Sequence, residues 1–365
     1  MGRRGKVRSS STGTRGKRSS IALGEKVEDR ISQLSNDLIN HILCYVDSKV
    51  AVQTMVLSKR WLNLWPTLPC LNFEPLISGD HEIFVTFFLK NRDQQYLFSK
   101  VTMDCLGSRK MLNICLDYAL PRNSIEHLCI RNGDLNDYPC LNSAYLKTLH
   151  LTNCRHVRPM SYWTLPSLTS LYLKNVRIGK IISGFENLKE LTLAENSGLI
   201  SDDKIITINC PKLQKLTLCL ENIYSFIVSA PSLLHLSYRS QYVPAGFSAR
   251  DGFPLMKRVH IDIQRKKGDF SETGERNRIK FGAQRFISML NAVRETVLLE
   301  LSSETIEGLR RIPDLHEYEP PAFCNLEFIS LRGLGLFDMR QPCSTDHVIE
   351  HLFANSPYAK IIITR

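Results

Sequence analysis

The sequence predicts an α/β chain: a small N-terminal helical unit, then a solenoid of short stacked strands, preceded by an unstructured basic arm. Three observations carry this. An apolar stripe at helical spacing runs through residues 35–65, an LxxLxL-like frame recurs from Ile125 onward, and the first 20 residues hold Arg3, Arg4, Lys6, Arg8, Arg15, Lys17 and Arg18 without a single acid.

The arm comes first. Of the formal net charge of +11, seven charges lie in residues 1–20, so the remainder of the 365-residue chain is close to balanced. Rich in Ser, Gly, Arg and Lys, residues 1–26 cannot bury enough apolar surface to offset their conformational entropy, and they are predicted to be disordered. Clustered cations suit a nuclear-localisation signal or a nucleic-acid contact, and equally a solvated arm.

Beyond the arm, a hydrophobic fraction of 43% supports a sizeable core, and no run of about 18 apolar residues offers a membrane span. The eleven cysteines are scattered, with no CxxC pair and no zinc-ligand spacing. That pattern, with no secretory apolar segment and no glycosylation sequon, points to buried thiols in a reducing compartment, the nucleus and/or cytoplasm.

In "SNDLINHILCYVDSKVAVQTMVLSKRWLNLW" from Ser35, the residues Leu38, Ile39, Ile42, Leu43 and Val46 recur at helical spacing, with Ser35, Asn36 or Asp37 as N-cap and Asp47-Ser48 as a break. A second helix is predicted from about Val50, through Val52, Val56, Leu57 and Trp61 to Trp65, stopped by Pro66. So few residues cannot enclose faces this wide, so some of the apolar surface must meet a neighbour.

From Ser124 the period changes. "IEHLCIRN" from Ile125, "LKTLHLTNC" from Leu146, "LTSLYLKNV" from Leu168, "LKELTLAEN" from Leu188, "LQKLTLCLEN" from Leu213 and "LLHLSYRS" from Leu233 align on one frame, with weaker copies from Met256 and Leu326. The spacing is in the leucine-rich-repeat range, and stacking such units buries leucines that one unit alone cannot. The Asn/Cys expected at the turn after the strand is met clearly only by Cys154 and Asn196, so the repeats are irregular. Pro-x-Leu at Pro166, Pro211 and Pro231 opens three strands. The charged segment 264–280 reads as an exposed loop; after it, an apolar series from Phe286 to Val293 predicts a helix leading to a strand near Val297–Leu301, and "VIEHLFANSPYAKIIIT" predicts a final helix-strand pair.

No catalytic motif is present: HExxH, GxSxG and GxxxxGK[ST] are missing, and "GLGLFD" from Gly333 is only a partial GxGxxG. No cofactor motif or metal-ligand spacing appears either. Nucleic-acid binding is disfavoured beyond the basic tail, since no zinc-finger or RNP-like motif accompanies the charge.

Residues from Asp29 to Trp65, with their "VLSKRW" and "LW" ending, resemble the F-box of plant F-box/leucine-rich-repeat proteins, and "PTLPCLNFEP" resembles that family's passage into its repeats. From Phe281, "FISMLNAVRETVLLELSSETIEGL" and "PAFCNLEFISLRG" are similar to the tail of those proteins and loosely to their FBD-type domain. With the disordered tail at 1–26, leucine-rich repeats in a horseshoe at 124–263 and the charged loop at 264–280 already read from composition and period, the resemblance implies an F-box at 27–70, a linker and first irregular repeats at 71–123 and a repeat or FBD-like region at 281–365. It implies a non-catalytic adaptor of a Skp/cullin/F-box ubiquitin ligase, docking on a Skp-type linker protein and through it on a cullin, with the repeats holding a target. By matching positions, Leu34, Ser35, Leu38, Ile42, Val52, Val56 and Trp61 would lie at or near the linker-protein interface. The family usually has proline where this chain has Ser35. A ligase-independent protein-binding scaffold is the alternative.

If the strands follow the framed leucines, their outward positions include His150, Tyr172, Lys174, Lys215, His235, Arg239 and Arg258, together with His127, Arg131, Glu190, His260, Asp262 and Arg332. Cations prevail in that set, which suits an acidic or phosphorylated target segment.

Overall fold

The structure is a computed structural model. It describes residues 31, 33–74, 81–106, 108–138, 140–157, 159–177, 179–194, 205–222, 224–264, 272–310, 315–332, 346–356 and 358–364. The basic tail over 1–26 and Asn196 lie outside the described residues. The architecture is mixed α/β, with a helical N-terminal region and a sheet-rich remainder.

The helical unit begins with α1 (Asn36–Leu43), where Ser35 caps as predicted: its Oγ accepts the Leu38 N–H at 3.3 Å. Helix α2 (Ser48–Gln53) is capped by Asp47, whose Oδ1 accepts the Lys49 N–H at 2.7 Å. The single helix expected from Val50 to Trp65 is instead broken into α2, a 3-10 turn (Thr54–Val56), α3 (Lys59–Leu62) and a second 3-10 turn (Trp65–Thr67). Val50, Val52, Thr54 and Val56 are β-branched and weak helix formers, and Ser58 takes an extended conformation with φ −167° and ψ 165°. Pro66 stops nothing; it occupies the first turn of the second 3-10 segment, where a missing N–H costs little.

After this unit come β1 (Cys70–Phe73), α4 (His81–Asn91), β2 (Lys100–Asp104), α5 (Arg109–Ala119), β3 (His127–Arg131), β4 (Thr148–Thr152), β5 (Ser170–Lys174), β6 (Ile181–Ile182), β7 (Glu190–Ala194) and β8 (Ile205–Asn209). They continue with β9 (Lys215–Leu220), β10 (Ser225–Ser229), β11 (His235–Ser240), β12 (Gly246–Ala249), β13 (Arg258–Ile263), α6 (Glu272–Ala292), β14 (Leu298–Ser302), α7 (Ser303–Arg310), β15 (Phe328–Arg332), α8 (Asp346–Leu352) and β16 (Lys360–Thr364). Twelve strands form one sheet in the order β1-β2-β3-β4-β5-β7-β9-β11-β13-β14-β15-β16, every pairing parallel. A second parallel sheet, β12-β10-β8-β6, forms the return limb of the middle repeats, whereas helices form it at both ends. The middle return segments alternate, as in Ile206/Ile208 and Phe226/Val228, which selects strands over helices.

Register turns the leucine frame into columns. Leu149, Leu171, Leu191, Leu216, Leu236 and Val259 are successive pairing partners, as are Leu151, Leu173, Leu193, Leu218, Tyr238 and Ile261. All are buried. A third buried column, Leu168, Leu188, Leu213, Leu233 and Met256, is set by β-turns closed by the i+3 N–H, four with proline at the second position: Leu168 to Leu165 O, Leu213 to Cys210 O, Leu233 to Ala230 O and Met256 to Phe253 O, at 3.0 to 3.1 Å. The Pro-x-Leu signal therefore marks a turn that drops a leucine into the core.

The segment expected to be a loop over 264–280 is corrected in part: α6 already runs from Glu272. Glu, Arg and Lys are good helix formers, and their charge conceals that propensity in a loop search. The turn residues were also under-read. Asn132, Asn153 and Asn175 each follow a strand with φ near 50°, so they sit in the left-handed region that asparagine tolerates. Their side chains form a ladder: Asn175 Nδ2 donates to Asn153 Oδ1 at 3.0 Å, Asn153 Nδ2 to Asn132 Oδ1 at 3.1 Å and Asn132 Nδ2 to Asp104 Oδ1 at 2.8 Å.

Replacing a rung should therefore cost both conformation and hydrogen bonds. Asn153→Ala is expected to destabilise the chain by about 2–4 kcal/mol, while Asn153→Gly, which keeps the left-handed conformation, should cost about 1–2 kcal/mol. Urea unfolding of the two variants beside the parent measures the difference.

Candidate functional site

Helix α1 carries apolar residues on two faces. Ile39 and Leu43 are buried against the rest of the helical unit, whereas Leu38 and Ile42, four residues apart, are 52% and 48% exposed. Tyr45, Val50, Met55, Leu57 and Leu62 are also exposed, and Val56 reaches 80%. So many exposed large apolar side chains in one small unit mark an interaction face.

Seven residues were expected at that face, and the structure divides them. Leu38, Ile42 and Val56 are exposed, Ser35 is exposed at the cap, and Leu34 and Val52 are half-buried against the core. Trp61 is a correction: at 5% exposure it is a core residue and presents no face to a neighbour. Trp65 is buried too, its ring centroid 5.2 Å from that of Phe88, so it joins the helical unit to α4. Ser35 holds φ −64°, the value a proline ring imposes, and adds a side-chain cap that proline lacks. Arg60 braces the same loop, donating from Nε to Asn36 Oδ1 at 2.8 Å and from Nη2 to the Leu34 carbonyl.

The second candidate surface is the outward face of the long sheet. His150 and Tyr172 are partners in register with ring centroids 5.3 Å apart, and Lys174 lies on the same face of β5. Lys215, His235 and Arg258 are successive partners at the start of β9, β11 and β13, all exposed. None of the three is in an ion pair among the described residues; Glu190 is the register neighbour of Lys215. Burial pushes the His235 imidazole below its ordinary range, and the charges of Arg258, Lys215 and Lys257 push the same way.

Elsewhere the surplus of cations is cancelled, which corrects the expectation for Arg239. Its Nε lies 2.9 Å from Asp262 Oδ2, and Arg332 Nη2 lies 2.9 Å from Glu300 Oε1. Asp262 and Glu300 are buried, contrary to the outward exposure expected of Asp262. His260 Nδ1 stands 3.7 Å from Glu300 Oε2, with its pKa lowered first by burial and then by Arg332. At the other end Arg131 pairs with Glu74 and Asp104. Lys215 and Arg258 on the middle strands have no such partner among the described residues, and neither has Lys100 on β2. Beside Arg258, a cleft of about 870 Å³ opens between the segments that precede β11, β13, β14, β15 and β16; Leu234, Leu255, Lys257, Phe323 and Tyr358 are among its walls.

Among the described residues no group of His, Cys, Asp or Glu is arranged to hold a metal ion, and no helix is long and apolar enough to cross a membrane.

Comparison with known proteins then bears on the exposed helical face. Residues 31–73 match the F-box domain family. The chain carries an F-box domain. Two F-box/FBD/LRR-repeat proteins of Arabidopsis thaliana are each 28% identical, over 64% and 74% of this chain and 60% and 62% of their own lengths. A third is 30% identical over 55% of this chain and 49% of its own length. The chain therefore spans less than two thirds of each of these relatives. The F-box match ends at Phe73, at the close of β1, so the family's unit includes the first strand as well as the helices.

Two measurements follow. Trp61→Ala should destabilise the chain by about 3–5 kcal/mol, and Val56→Asp should change stability by less than about 0.5 kcal/mol, both by urea unfolding. The lowered pKa values of His81, His150, His235 and His260 mean that folding favours their neutral forms. Their contribution is complete above the unfolded value near 6.5 and is lost as the pH falls below it, so the urea midpoint should drop between about pH 7 and pH 5.

Proposed function

We propose that this protein is a non-catalytic substrate-recognition adaptor of a Skp/cullin/F-box ubiquitin ligase. Its F-box docks on a Skp-type linker protein, and through it on a cullin. The remainder of the chain, an irregular leucine-rich-repeat solenoid, holds a target for ubiquitination, in the nucleus or cytoplasm. The observation that carries this is the exposed apolar face of Leu38, Ile42 and Val56 on a unit that matches the F-box family. An adaptor needs such a face and a second, separate one, and needs no chemistry of its own.

The second face is read as the outward rows of the parallel sheet. Lys215, His235 and Arg258, unopposed and adjacent in register, suit an acidic or phosphorylated segment of the target. His150, Tyr172 and Lys174 extend that face toward the F-box with an aromatic pair. Arg239 is left out, since its charge is already met by Asp262.

Co-purification of the full chain with a plant Skp-type linker protein tests the first half. A complex is expected with the parent and is expected to weaken by more than about 100-fold in the Leu38→Asp/Val56→Asp double variant, whose exposed positions leave folding intact. A folded parent that forms no complex would turn the assignment to a ligase-independent scaffold. For the second half, Lys215→Glu/Arg258→Glu should weaken binding of acidic and phosphorylated peptides by about 10-fold or more while leaving the linker-protein complex unchanged.

A further inference from the structure

Sheet register lays out the floor of the cleft of about 870 Å³ that lies before β11 to β16. His235, Arg258, Leu298 and Phe328 are successive partners at the starts of β11, β13, β14 and β15. Backbone bonds carry that register one residue upstream: Leu298 N donates to the Lys257 carbonyl and Glu327 N to the Val297 carbonyl, each at 2.9 Å. Lys257, Val297 and Glu327 thus follow one another one strand apart, and at about 4.8 Å per strand the backbones of Lys257 and Glu327 stand about 10 Å from each other. Two residues further upstream, Leu255 and Glu295 form the next row, and Asn325 Nδ2 donates to the Glu295 carbonyl at 3.4 Å. All six of these residues line the cleft.

The cleft is charged at its two sides and apolar between them. Lys257 stands on the β13 side, and Glu295 and Glu327 stand on the side of β14 and β15. On the outward face of the same strands opposite charges close on each other, as Arg239 does on Asp262, but none of these three is in an ion pair among the described residues. Two polar atoms of the lining are buried with no hydrogen-bond partner among the described residues: Glu295 Oε2, and the Oγ of Ser356, which is 9% exposed. Buried acceptors without donors are costly, and N–H groups brought by a ligand would relieve them. Val297 and Leu255 supply an apolar floor, and the rings of Phe323 and Tyr358 supply apolar walls.

We propose that this cleft binds a small dipolar ligand whose ammonium and carboxylate stand at opposite ends of an apolar body, of the size of a short peptide with free ends and apolar side chains. The ammonium goes to Glu295 and Glu327, the carboxylate to Lys257, and the body lies over Val297 and Leu255 against the two rings. Three features select this class. The charged sides are separated by two strands, and an extended tripeptide reaches about 10 Å at most, so its two ends meet both sides at once. The volume lies within the range of about 300–1,000 Å³ usual for small-ligand sites, in which apolar walls carry a few convergent polar groups. A ligand with one charge would leave the other side unmet, and one without an apolar body would leave the floor in water. The site is separate from the F-box face and stands independently of the adaptor reading.

The test is isothermal titration calorimetry of the purified full chain at pH 7 with the tripeptide leucyl-alanyl-phenylalanine as probe. Saturable one-to-one binding with a Kd below about 1 mM is expected. Acetylating the amino end or amidating the carboxyl end should each weaken binding by about 10-fold, and free leucine, too short to reach both sides, should bind at least about 10-fold more weakly than the tripeptide. These comparisons use the parent alone. Two variants then assign the ends: Glu295→Gln should cost the free tripeptide about 10-fold but the acetylated one less than about twofold, and Lys257→Gln should do the same for the free and amidated forms. An unchanged urea midpoint confirms that each variant is folded. No saturable binding below about 1 mM, equal affinity for the free and blocked tripeptides, or equal affinity for leucine and the tripeptide would overturn the proposal.

Discussion

The fold depends on the inability of any one repeat to bury its own leucines. A strand such as "LYL" on β5 presents Leu171 and Leu173 to one side, and no residue within the repeat can cover them; Leu149 and Leu151 before and Leu191 and Leu193 after do so. Parallel pairing in strict chain order follows, because only that order lets each leucine meet its counterpart at the same register. The turns that close each repeat, whether proline-set or asparagine-set, then become positional devices: they keep the columns aligned, and the left-handed asparagines do so by bonding to one another across repeats.

A stack of this kind has ends, and an end is an unpaired strand edge with half of its core exposed. At the N-terminal end the helical unit performs both tasks. The Val46–Ser48 segment meets polar groups of β1, and Trp65 packs with Phe88, which in turn meets Phe73 edge-on at 5.5 Å. The F-box is thereby a cap. Buried and exposed apolar residues share one short helix, Ile39 and Leu43 joining the core and Leu38 and Ile42 staying at the surface.

This division explains what could be read from the sequence. The leucine columns were legible because a period survives irregular repeat length, and the cap at Ser35 because capping is local. Trp61 and Leu38 could not be told apart by type or spacing, since both are apolar at helical positions, yet one is buried and the other half-exposed. The same holds for Arg239. An arginine at an outward strand position looks like free charge until register sets it against Asp262, a residue 23 positions on. Segment 272–280 differs from expectation for another reason: a run of charge signals a loop by composition, yet Glu, Arg and Lys are also good helix formers.

Charge pairing across strands also sets where the sheet can attract anything. Arginines at both ends of the outward face are paired, Arg131 with Glu74 and Asp104 at one end and Arg239 and Arg332 with Asp262 and Glu300 at the other. A charge already satisfied by a close partner gives little to an incoming ligand, since binding would exchange one partner for another. Lys215 and Arg258 have no such exchange to make; they flank His235, whose neutral form is favoured by burial and by those same charges. That row lies midway along the parallel stack, on β9, β11 and β13, between the paired arginines of the two ends.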